Sequence, residues 1–116
     1  MPLVLVWAKD DIDERVTLEL SNNLPKDVAD ALSCDDPDGK LTADDVEVRF
    51  FNINPYDKSL NDIDVVIFAN LYPDRQKNFE ERKNAIANAI KEILPPGNTV
   101  SIWVLVAPGA FSQFVT

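Results

Sequence analysis

The chain has 116 residues, 46% of them hydrophobic and 27% charged, which is the size and composition of one ordinary globular domain. Its 20 acidic and 11 basic residues give a formal net charge of -9, which argues against a nucleic-acid backbone or an anionic membrane as partner. The absence of histidine removes the commonest general base and metal ligand, together with every Ser-His or Cys-His pairing.

After Met1 and Pro2, residues 3–7 (LVLVW) form a continuous apolar run, the pattern of a strand covered on both faces. The run is about seven residues long even with Met1 and Pro2, too short for a signal peptide or a membrane span. AKDDIDER is a polar turn in which Asp11 or Asp13 can cap a helix. Val16, Leu20, Leu24, Val28 and Leu32 recur at four-residue intervals, one stripe of an amphipathic helix. Pro25 lies inside that stripe and is expected to kink or restart the helix. Cys34, the one cysteine, excludes an internal disulfide and fits a reducing, cytoplasmic setting.

CDDPDGKLTADD is a loop by its Asp, Pro and Gly content. VEVRFFNI is a second strand, with Val46, Val48 and Phe50 alternating against Glu47, Arg49 and Phe51. NPYDKSLND is another loop, and DVVIFANLY a third, nearly all-apolar strand. Asn78 with Glu81 makes a capping box for a second helix whose core side carries Phe79, Ile86, Ile90, Ile93 and Leu94. PPG stops that helix, TVSIWVLV is a fourth strand, and PGAFSQFVT is a tail with two aromatic residues.

The order is a tandem β-α-β repeat, residues 2–61 and 62–116, within a single domain spanning 1–116. This predicts an α/β (α+β) fold with a four-stranded mixed sheet and two helices on one face. Strands apolar on both faces but covered on one need a partner, so a homo-oligomer is expected.

With Pro2 ahead of LVLVW, the DGK loop ahead of VEVRF, and DRQKNFEERKNAIANAI after the third strand, nearly the whole chain resembles the tautomerase superfamily. That group includes 4-oxalocrotonate tautomerase, macrophage migration inhibitory factor, malonate semialdehyde decarboxylase and the chloroacrylic acid dehalogenases. The resemblance implies removal of Met1 to free the Pro2 amine, a homotrimer of two fused β-α-β units, and cofactor-independent chemistry without a metal. The chain departs from the family at Asp74-Arg75, where Gly-Arg is common, and at Ser101 and Trp103, where the inhibitory-factor branch carries Tyr and Asn.

A desolvated prolyl amine beside cations is disfavoured in its protonated form and can remove a proton alpha to a carbonyl. Protonated, it is instead an acid. On the motif alignment, Lys9, Lys40, Arg49 and Arg75 lie near the site as binders of a small carboxylic-acid substrate, with Arg75 suited to a bidentate carboxylate clamp. Trp103, Phe111 and Phe114 are expected to form an apolar pocket wall. The expected activity is a tautomerase or isomerase acting on an α-keto or enol acid; the alternatives are a hydratase, dehalogenase or decarboxylase, and a non-enzymatic binding trimer. A calcium loop built around Gly39 competes on sequence, using Asp36, Asp38, Leu41 and Thr42, but Cys34 and Asp45 stand at its first and twelfth positions.

Overall fold

In a computed structural model describing residues 1–116, the chain forms β1 (Leu3–Ala8), α1 (Glu14–Leu32), β2 (Glu47–Asn52), β3 (Ile63–Asn70), α2 (Pro73–Lys77), α3 (Phe79–Ile93) and β4 (Val100–Ala107). The strands make one sheet in the order β2-β1-β3-β4. β1 runs parallel to β2 and antiparallel to β3, and β3 runs parallel to β4. The N-terminal strand is therefore internal, and β2 and β4 are the edges.

Strand alternation assigns the two faces of the sheet. Val4, Val6, Ile63, Val65, Ile67 and Val104 turn toward α1 and α3 and join Leu20, Leu24, Val28, Leu32, Ile86 and Ile90 in one buried core. The opposite face carries three cross-strand rows: Glu47-Leu3-Phe68-Leu105, Arg49-Leu5-Val66-Trp103 and Phe51-Trp7-Asp64-Ser101. No helix covers them. Trp7 and Phe51 stack there at 5.2 Å between ring centres, and Trp103 is 62% exposed.

The α1 helix does not break at Pro25. Proline removes only the bond to the carbonyl four residues earlier, and Ser21, which owns that carbonyl, is exposed to water. Asp13 is the N-cap and accepts from the Arg15 amide at 2.9 Å. Asn78 departs from the expected capping box. Its side chain makes no cap hydrogen bond and instead accepts from Arg82 Nε at 2.6 Å, while the extra short helix α2 precedes it. In the 34–45 loop, Asp36 caps the Asp38 amide and Asp45 caps the Thr42 amide. The loop runs into strand β2 and not into the exiting helix that a calcium loop needs.

Candidate active site at the N-terminal end of the first strand

Pro2 is buried at the head of β1, and its carbonyl accepts from the Glu47 amide at 3.1 Å. Met1 before it lines two clefts. One, of about 450 Å³, is shared with Asp44, Val46, Glu47 and Phe111. The other, of about 480 Å³, lies over the ends of β3 and β4 and includes Leu3, Phe68, Asn70 and Leu105. Met1 thus borders both clefts, and the buried Pro2 lies directly behind it.

The expected cations do not gather there within one chain. Lys9 is seven residues along β1, about 23 Å away at strand rise, where it pairs with Asp62 at 2.9 Å. That hydrogen bond, and then the charge of Asp62, holds the Lys9 ammonium above its ordinary range. The same bond, with help from the Thr99 amide, holds the Asp62 carboxyl below its usual range. Lys40 is exposed where the 3-10 turn at residues 37–39 ends. Arg49 faces the open side of the sheet and donates to Glu47 at 2.6 Å, which brings it to the rim of the smaller cleft through that carboxylate.

Arg75 departs most from expectation. A clamp for substrate has to present its fork to solvent, yet this side chain is only 2% exposed. Nε donates to the Leu32 carbonyl at 2.8 Å, Nη1 to the Asn70 carbonyl at 2.6 Å, and Nη2 to the Gly39 carbonyl at 3.2 Å. The Tyr72 ring lies 5.1 Å from the guanidinium carbon. Burial pushes the guanidinium below its ordinary pKa. Arg75 therefore joins the end of α1, the 33–42 loop and the end of β3. Gly39 is part of the same corner: a Cβ there would lie 2.2 Å from Cys34 Sγ, so no larger residue fits without displacement.

Of the aromatic residues expected as a wall, Phe111 lines a Met1 cleft. Trp103 stands in the middle row of the open face, and Phe114 projects from the tail, 78% exposed. Five polar residues absent from the sequence-based set line the clefts: Asp44, Glu47, Asn70, Ser112 and Gln113. Asn70 has a faint signal, as an amide closing the apolar run 65–69 of β3. The two acids had none among so many carboxylates.

The chain matches no protein-family profile and no curated protein sequence. Its fold is found among solved structures. A fused 4-OT, solved as a symmetric trimer, is 13% identical, covers 91% of this chain and 85% of its own, and superposes with a TM-score of 0.63. Malonate semialdehyde decarboxylase, a protein with decarboxylase and hydratase activities, is 13% identical over 98% of this chain and 91% of its own, with a TM-score of 0.65. A member of the cis-3-chloroacrylic acid dehalogenase family is 19% identical over 97% and 80%, with a TM-score of 0.59. The fold of this chain is the one that these solved structures share.

Proposed function

We propose that the chain, once Met1 is removed, is a cofactor-independent enzyme of the tautomerase or isomerase type whose Pro2 amine moves a proton on a small α-keto or enol carboxylic acid. The observation that carries this reading is the position of Met1, which lines both clefts at the head of β1. Excision leaves a secondary amine between them. In its neutral form the amine takes the proton alpha to the keto group, and the C–H electron pair moves to the carbonyl oxygen as an enolate. The resulting ammonium returns the proton to the enolate oxygen, giving the enol, or, where a further C=C bond extends the enolate, to the far carbon of that dienolate. Arg49 and the exposed Lys40 are the cations offered to a carboxylate.

The working unit is a homotrimer, three times 13.0 kDa. The uncovered rows of the sheet support it, as does the trimer of the similar fused 4-OT. A second reading, a hydratase, dehalogenase or decarboxylase, draws support from Asp44 and Glu47 in the Met1 cleft. Carboxylates near the amine favour its protonated, acidic form, and they can also orient water.

The test is a substrate screen with enol-keto acids and 3-halo or acetylenic acids on protein confirmed by mass to begin at Pro2. Pro2→Ala, and an N-terminal tag that blocks Met1 removal, are each expected to lower turnover by orders of magnitude, because the tagged nitrogen is an amide. A tagged protein as fast as the processed one overturns the proposal. Light scattering that shows a monomer at micromolar concentration overturns the trimer.

A further inference from the structure

Extending the antiparallel ladder of β1 and β3 one and two steps past its Leu3-Phe68 pair sets Pro2 opposite Ala69 and Met1 opposite Asn70. In the cleft over the ends of β3 and β4, Asn70 is the one polar lining residue among seven hydrophobic ones. Its side-chain amide forms no hydrogen bond within the chain; only its backbone carbonyl is engaged, by Arg75 Nη1 at 2.6 Å. The amide is nonetheless held in place. A Cβ on Gly109 would lie 2.9 Å from Asn70 Oδ1, so the segment after β4 lies against it, while Arg75 fixes the backbone beneath it to Leu32 and Gly39.

A positioned, unengaged amide in an apolar cleft is poised to bind an oxygen. Carboxamides offer two N–H donors, and a donor aimed at developing negative charge in a dry site is far more effective than the same donor in water. Removal of Met1 empties the place across from Asn70 and bares the Pro2 nitrogen one residue along. We infer that Asn70 is a substrate-binding residue, its amide donating to the carbonyl or enolate oxygen of a 2-keto acid that occupies the place Met1 leaves. This rests on the Pro2 reading and names the group that recognises the substrate there. Arg75 is then a positioning residue that acts through the Asn70 backbone.

The experiment uses the processed chain with Asn70→Ala, the isosteric Asn70→Asp, and Pro2→Ala. Steady-state kinetics are run on an enol-keto acid, alongside covalent labelling by an acetylenic 2-keto acid read by mass spectrometry. Asn70→Ala is expected to lower kcat/KM by about 10- to 100-fold, the effect of losing one hydrogen bond to a charged group, with Tm held within about 3 °C. Asn70→Asp is expected to lower it further and to move the acid limb of the pH profile upward, because a carboxylate beside Pro2 favours the protonated amine. A purely structural Asn70 would not move that limb. If both variants keep wild-type kcat/KM and pH profile while Pro2→Ala is inactive, the Asn70 assignment falls and the Pro2 reading stands. Loss of stability with unchanged kinetics in the folded fraction overturns it equally. If Pro2→Ala is as active as wild type, or if the processed chain neither turns over substrate nor is labelled at Pro2, the Pro2 reading fails and takes Asn70 with it.

Discussion

The two sides of the sheet are built from the same strands and often from neighbouring residues, yet they are different materials. On the covered side Val4, Val6, Ile63, Val65 and Ile67 are fully buried against the helices, and the one buried charge, Arg75, is bonded to three carbonyls. On the open side Leu3, Leu5, Phe68, Trp103 and Leu105 are part-buried or exposed, although they are as apolar as their neighbours. Hydrophobicity alone does not tell the sides apart. What separates them is that this chain's own helices cover one side and leave the other open.

Truncation on the covered side is the largest expected effect. Ile67→Ala should cost on the order of 4 kcal/mol by lost burial and the cavity left behind, read as a denaturant midpoint that does not depend on protein concentration. Arg75→Ala should cost on the order of 3 kcal/mol, since it leaves buried carbonyls without donors. If it raises KM for a carboxylate substrate and leaves Tm alone, Arg75 is a binding residue after all. On the open side, Trp103→Ala should change folding of the separate chain by less than about 0.5 kcal/mol and weaken association, seen as mass falling on dilution. An equal loss in both assays would erase the distinction between the sides.

The smallest expected effect lies at the end of β1 away from Pro2. Asp62 is held below its ordinary pKa by Lys9 and Thr99, so its contribution is present above the usual carboxylate range and fades as pH falls through its lowered value. Lys9 is exposed and Asp62 is part-exposed, so solvent screens the pair. Asp62→Asn should therefore shave stability slightly at neutral pH and nothing in strong acid. A larger loss in acid than at neutral pH would reverse that sign.

Periodicity made most of the fold legible. The LVLVW run and the four-residue stripe from Val16 to Leu32 occupy the elements they suggest, and so does the Val48-Phe50 alternation, with Val46 just ahead of β2. The site was harder to read because its parts meet through register. That Asn70 lies across from Met1 follows from the β1-β3 pairing, which no local pattern encodes. The motif alignment sets Lys9 near Pro2, but within one chain a strand carries its two ends apart. The motif alignment and the bidentate fork of a guanidinium suggest Arg75 as a carboxylate clamp; its burial depends on three carbonyls brought in from distant elements.

The internal place of β1 has a consequence for the making of the chain. The first of these four strands to leave the ribosome has both its neighbours, β2 and β3, far downstream. Until β3 emerges, an apolar, β-branched, uncharged segment waits with its backbone hydrogen bonds open, the signature of an aggregation-prone stretch. α1 is the first element able to shelter it, because Leu20, Leu24 and Val28 pack against the same side of the sheet as Val4 and Val6. Nascent chains stalled before β2 should thus be the most sticky species in the life of this protein, and those stalled after β3 markedly less so.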